Sequence, residues 1–193
     1  MYALAAAALA AGAGTAGAQQ TDGFLRPPTS LSMGVFDGAS VELGHRLSPA
    51  TDLGLAVSGR GGRRSDRYTG VAGASGSTQR EWDVTIEPSV KHYSGTGGPL
   101  LPYTYASLLL SHARSVFHQE GEPSSHFRGT GVGASVGLGV DWFLAPRVSV
   151  GGRAVLAGGF QRTSTAPDTG PTLRSSQWYA GTGRSGVQVT FHF

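Results

Sequence analysis

Three groups of side chains have the types and spacing to do chemistry. His92 and Ser94 stand two residues apart. On a strand that spacing puts both on one face, where an imidazole could activate the hydroxyl as a nucleophile. The pair runs directly into a turn-forming stretch over 95–102, and a strand-end turn accounts for it better. His112, His118 and His126 are the nearest approach to a metal set, with Glu120 and Glu122 beside them. A zinc site needs three or four converging ligands held by oriented partners, and this spacing offers no such convergence. The third group is basic: Arg60, Arg63, Arg64, Arg67 and Arg80 bracket a stretch whose acid is Asp66. Guanidinium forks match phosphate and sulfate oxyanions, so Arg63, Arg64 and Arg67 are expected to contact anions at an outer surface; the bland alternative is a solvated loop. Gly61-Gly62 and the glycines over 70–76 do not join a strand to a helix, so they are not a nucleotide cradle. Cysteine is absent, which removes thiol nucleophiles, thiolate metal sites and disulfides. No catalytic, cofactor-binding or metal-ligating set is assigned, and no cofactor is expected.

Composition limits the elements that could position these side chains. Glycine occupies 31 of 193 positions, roughly twice the ~7% of an average chain, without the three-residue repeat of collagen. Each Gly in a helix interior costs about 1 kcal/mol relative to Ala, which argues against a helical bundle. With 39% hydrophobic residues and a net charge of +3 the chain is not a disordered tail. Fifteen Lys and Arg against 12 acids is too mild a bias to indicate nucleic acid. The length suits one domain.

The recurring pattern has period two. Over 130–142, Val132, Ala134, Val136, Leu138, Val140 and Trp142 oppose Gly131, Gly133, Ser135, Gly137, Gly139 and Asp141. Over 81–91, Trp82, Val84, Ile86, Pro88 and Val90 oppose Glu81, Asp83, Thr85, Glu87, Ser89 and Lys91. Near the end, Val187, Val189, Phe191 and Phe193 oppose Arg184, Gln188, Thr190 and His192. Each is a strand with one apolar and one small or polar face. Asp37-Gly38 is a hairpin signal. Strands are predicted over 30–36, 39–47, 52–60, 80–92, 102–117, 130–144, 147–161 and 177–193, with long polar loops over 60–79, 118–129 and 162–176. An even strand count, with short turns at one end and long loops at the other, predicts an all-β, eight-stranded antiparallel up-and-down transmembrane β-barrel.

Energy decides which face is outside. Eight strands leave an interior only wide enough for side chains. Arginine on a lipid face costs about 2–4 kcal/mol at the midplane. The polar face, carrying Glu42, Arg46, Arg60, Glu81, Asp83, Glu87, Lys91, Asp141, Arg153 and Arg184, is therefore expected inside as a charge network, with inward glycines making room. That network reads either as a packed ion-pair plug or as a narrow polar path. A soluble, lipocalin-like calyx with the faces reversed fits the alternation as well; the leader and the chain end favour the membrane. Aromatic girdles are expected from Tyr103, Tyr105, Trp142, Phe143 and Phe193 at the short-turn end and from Trp82, Phe117, Phe160, Trp178 and Tyr179 at the other. The run Leu108-Leu109-Leu110 breaks strict alternation and is expected to mark a bulge, leaving the facing of His112 and Arg114 open. Residues 1–18 are small and apolar and end Ala16-Gly17-Ala18, the pattern of a cleaved signal peptide. No Lys or Arg follows Met1, so the true start is expected upstream. Residues 19–29 would form an N-terminal periplasmic segment and 30–193 the barrel.

The chain end, Gly186-Val-Gln-Val-Thr-Phe-His-Phe193, resembles the C-terminal insertion signal of bacterial outer-membrane barrels. Residues 133–153 resemble the penultimate periplasmic hairpin of small OmpA/OmpX-type barrels, and Pro99-Leu-Leu-Pro-Tyr-Thr-Tyr105 resembles a strand entry of that group. The resemblance implies a bacterial outer-membrane location. It also implies assembly by the barrel-assembly machinery through Gly186, Val189, Phe191 and Phe193, and contact with outer-membrane lipids and lipopolysaccharide. The expected role is structural or surface-interacting (adhesion or envelope integrity) in a monomer that binds no nucleic acid. His92-x-Ser94 is weakly similar to the His-x-Ser of lipid A deacylase barrels, but no Glu follows at that family's distance. A lipid A hydrolase is thus an alternative, as are a narrow solute pore and a lipocalin-like carrier.

Overall fold

The computed structural model describes residues 27–35, 39–70, 73–95, 98–119, 123–183 and 185–193, without the side chains of 67–70 and 73–75. The leader, most of the 19–29 segment, the Asp37-Gly38 turn and Arg184 lie outside the described residues. Nine strands follow in order: β1 (Thr29–Val35), β2 (Ala39–Ser48), β3 (Thr51–Gly70), β4 (Gly73–Tyr93), β5 (Leu100–Gln119), β6 (Ser125–Ala145), β7 (Val148–Pro167), β8 (Leu173–Thr182) and β9 (Gly186–His192). Each of β1 to β7 pairs antiparallel with the next, and β7 pairs with both β8 and β9. β9 returns to β1, with Met33 opposite Val189, and closes the ring. Backbone bonds between Thr29 and Phe193 tie the two ends together.

The ring has eight staves because β8 and β9 are two halves of the last one. A row of partners running from Val132 on β6 through β5, β4, β3, β2, β1, β9 and β7 comes back to β6 at Trp142, a stagger of ten residues. Tilt and stagger of this kind are what let a twisted sheet close. The break in the eighth stave is a bulge. Leu156 pairs with Thr182 and Arg153 with Gly186, so the step from β8 to β9 takes one residue more than the matching step on β7. An extra residue reverses which face later side chains occupy. The bulge expected at Leu108-Leu109-Leu110 is absent: β5 keeps unbroken register with β6, Leu108 and Leu110 face out, and Leu109 faces in.

The strands over 51–167 are longer than predicted. The stretches expected as loops over 60–79, 118–129 and 162–176 largely continue the ladders, to Gly70–Gly73 on β3–β4 and to Ser125–Pro167 on β6–β7. The short β1–β2 hairpin and β9 do not reach this level. Beyond Gly59 on β3, and along all of β8, the ladder has a partner on one side only among the described residues. The molecule is thus a closed eight-stave ring surmounted by a six-stranded curved wall, β3 to β8.

The ring is inverted relative to a water-soluble protein. Val41, Leu43, Leu55, Val57, Ile86, Leu108, Leu138 and Trp142 lie on its outside, Leu138 at 67% exposure. Ser32, Glu42, Glu87, Lys91, Asp141, Arg153, Gln188 and Thr190 are buried inside. An apolar surface this continuous marks contact with lipid or protein. Glycine makes the interior possible. A Cβ on Gly139 would collide with the ring of Tyr103, and one on Gly151 with the carboxylate of Asp141.

The aromatic girdles need correction. Trp142 and Phe193, then Trp82, Phe160 and Trp178, do face outward. Tyr103, Tyr105 and Phe143 are buried in the interior instead, because they occupy inward positions of β5 and β6. Phe117 shares that inward parity on β5. Tyr179 points inward because the extra residue between the β7–β8 and β7–β9 pairings reverses the parity read back from Phe193. Its hydroxyl lies where a Cβ on Gly133 would come within 2.7 Å.

Candidate functional site

The interior of the ring is the densest polar cluster among the described residues. Glu42 on β2 is its hub. Lys91 Nζ on β4 lies 2.7 Å from Oε1, and Arg153 Nη1 on β7 lies 3.2 Å from Oε2. One carboxylate thereby joins three staves from opposite sides of the lumen. Charge-assisted bonds of this type are the strong ones, provided every partner is in place.

Tyrosines fill the space around the ions and satisfy the remaining carboxylates. The Tyr105 and Ser107 hydroxyls both donate to Glu87 Oε1 at 2.7 Å. Ser107 also meets Ser135 at 2.7 Å. Tyr93 donates to Asp141 Oδ2 at 2.8 Å and packs edge-on against Tyr103, with centroids 5.4 Å apart. The Arg153 guanidinium sits 4.2 Å from the Tyr105 ring centroid, within cation–π range. Below them, His192 stacks on Phe143 and bonds Ser149 at 3.1 Å. The arrangement crosslinks staves, and its hydroxyl–imidazole contact, Ser149 with His192, is itself buried inside the ring.

The other sequence-assigned charges sit away from this centre. Arg46 pairs with Asp52 at 3.6 Å near the short-turn end. Arg60 and Glu81 face inward, but in the half-exposed upper wall, 3.6 Å apart. Asp83 is opposite Arg60 in the ladder. Of the expected outer anion contacts, Arg63 faces outward. Arg64 does not: its position on β3 turns it inward, where its Nε lies 2.8 Å from Asp66. The Arg67 side chain lies outside the described residues. In the terminal signal, Val189 and Phe191 face outward and Phe193 caps β9.

His92 and Ser94 do not form a pair. His92 faces outward and its Nδ1 is 3.2 Å from the Thr51 hydroxyl, while Ser94 lies in the bend beyond β4 and its backbone N–H donates to Pro102. Of the three other histidines, His112 stands apart, while His118 and His126 are linked through Ser124, whose backbone N–H donates to Asp168. His112 packs on Trp82, His118 meets Ser124 at 3.0 Å, and His126 meets Asp168 at 3.1 Å.

The sequence reasoning missed Tyr93, Tyr103, Tyr105 and Asp52 as interior residues. A signal did exist for two of them. Tyr103 is opposite Gly139 and Tyr105 opposite Gly137, a large side chain beside a missing one on the inward face.

Among solved structures, a major outer membrane protein from Thermus thermophilus is similar, with a TM-score of 0.55 and 14% identity over 86% of this chain and 97% of that one. The fold is that of an outer-membrane β-barrel. Neisserial surface protein A aligns over 86% of this chain and 93% of its own at 17% identity and a TM-score of 0.46. CarO of Acinetobacter baumannii aligns over 88% and 99% at 12% identity and 0.45. No protein-family model matches the sequence. No curated protein matches it either.

Proposed function

We propose that the protein is an integral barrel of a bacterial outer membrane whose role is structural or surface-interacting: it supports the envelope and presents the upper wall outside the cell. The inverted ring carries this reading. Closure satisfies the backbone groups of the ring within it, as hydrocarbon requires, and the apolar outer band is suited to acyl chains. Export through the leader at 1–18, insertion through the β9 signal by the barrel-assembly machinery, and contact with lipopolysaccharide belong to the same proposal. The role is that of a sealed barrel, because the Glu42–Lys91–Arg153 triad and the Tyr103 and Tyr105 rings occupy the lumen. A lipid A hydrolase is disfavoured by the outward turn of His92 away from Ser94.

The test is heat-modifiable gel migration of the outer-membrane fraction, followed by planar-bilayer recording. Fast-migrating folded protein that forms no resolved channels is expected. A steady conductance would replace the sealed reading with the pore, and recovery in the soluble fraction would replace it with the carrier.

A further inference from the structure

The two faces of the strands sort charge by sign. Among the described residues every Asp and Glu within a strand, from Glu42 and Asp52 to Asp141, faces the interior. Outside, immediately above the apolar band, the charges are arginines: Arg63 on β3, Arg80 on β4, Arg114 on β5, Arg128 on β6, Arg162 on β7 and Arg174 on β8. None of these six forms an ion pair with a described residue.

Register brings them together. Arg114 is directly opposite Arg128, Arg128 opposite Ser164, and Ser164 opposite Arg174, so three guanidinium groups stand in one lateral row across four strands. Arg63 and Arg80 form a second direct pair. Like charges directly opposite on a sheet destabilise it. Two such pairs, one outward position apart in the ladder, call for an anion to offset them. Arg162 lies one outward position nearer the band, its guanidinium 5.5 Å from the Phe160 ring centroid. Arg128, Arg162 and Arg174, with the hydroxyls of Thr130, Ser164 and Ser176, line a shallow concavity of about 470 Å³.

The row beneath identifies the class of anion. Leu110, Val132, Phe160 and Trp178 are in register one outward position below Arg162 and two below the Arg114–Arg128–Arg174 row, and all but Phe160 are strongly exposed. Phe160 and Arg162 are two residues apart, about 7 Å along the strand at the usual rise. A molecule that satisfies both rows has acyl chains on the band and phosphate at the arginines. We infer that the outer face of β5 to β8 is a binding site for the phosphate groups of a lipid headgroup in the outer leaflet, with Arg128, Arg162 and Arg174 as its main anion ligands. This rests on the outer-membrane reading and deepens it by naming the lipid-facing surface and its ligand chemistry.

The site is tested with full-length refolded protein in phosphate-free detergent, by native mass spectrometry against bis-phosphorylated lipid A, the same lipid after phosphatase treatment, and inorganic phosphate. The phosphorylated lipid is expected to bind at least tenfold more tightly than the dephosphorylated one. The triple variant Arg128→Gln/Arg162→Gln/Arg174→Gln should lose that preference, while Arg147→Gln, in the turn at the other end, should keep it. If the triple variant does not refold, Arg128→Gln alone should weaken the phosphorylated lipid about threefold. Equal binding of both lipids, or an unchanged preference in the variants, overturns the site. Saturation by inorganic phosphate, with no further gain from acyl chains, overturns the lipid as its source. Failure of the wild type to show heat-modifiable migration would instead strike the barrel reading itself.

Discussion

The lower ring and the upper wall are built from the same strands yet follow opposite rules. In the ring, the outside is apolar and the inside holds ions that are buried and mutually bonded. In the wall, above an outward aromatic rim of Trp82, Phe160 and Trp178, both faces are mostly polar or small, with Phe117, Leu173 and Tyr179 as exceptions on the inner one. Its ion pairs are exposed: the Arg64 side chain is 77% exposed where it meets Asp66, whereas that of Arg153 is 3% exposed where it meets Glu42. The ring therefore depends on its buried ions keeping their partners, and the wall mainly on backbone pairing. Binding surfaces are affordable where little depends on any one side chain.

Substitutions can break this contrast, and the largest effect is expected at the hub. Glu42→Gln leaves Lys91 and Arg153 buried without their shared carboxylate and should cost about 3–5 kcal/mol of folding stability, read by urea unfolding in lipid vesicles. Leu138→Arg puts a charge on the outward face of the ring near mid-band. A loss of about 2–4 kcal/mol in the same assay is expected, against no measurable loss for Ser164→Glu in the wall, where the new carboxylate would lie between Arg128 and Arg174. Gly139→Ala forces a methyl against the Tyr103 ring and should cost about 1–3 kcal/mol, as overpacking does. At the small end, Arg64→Gln removes an exposed pair and should change stability by less than about 1 kcal/mol. A wall substitution that unfolded the protein as readily as Glu42→Gln would erase the distinction.

The same contrast explains what could be read from the residues. Where one strand face meets lipid and the other a packed interior, alternation is forced, so the facings over 81–91 and 130–142 were legible. Where water wets both faces, nothing forces alternation. The Gly- and Ser-rich stretches over 60–79 and 118–129 then resemble loops although they pair as strands. Two interior features escaped for other reasons. Tyr103 and Tyr105 have rings that suit a membrane interface as well as a polar core, and only their register with Gly139 and Gly137 separates the cases. Tyr179 escapes because one extra residue between β8 and β9 reverses parity, and a bulge of that kind carries no strong sequence mark. The outward arginine row was invisible for the same reason, since it exists only once four strands are in register.

The absence of native cysteine allows the central claim to be tested along a single strand. Single cysteines on β4, at Val84, Ile86 and Val90 outside, at Thr85 and Ser89 inside, and at Ser77, Thr78 and Gln79 in the wall, would each carry a bimane fluorophore in vesicles containing brominated lipid. Strong quenching at 84, 86 and 90, none at 85 and 89, and none at any of 77, 78 and 79 is the predicted result. Quenching at 85 and 89, or a pattern without alternation over 84–90, would contradict an inverted barrel in the membrane.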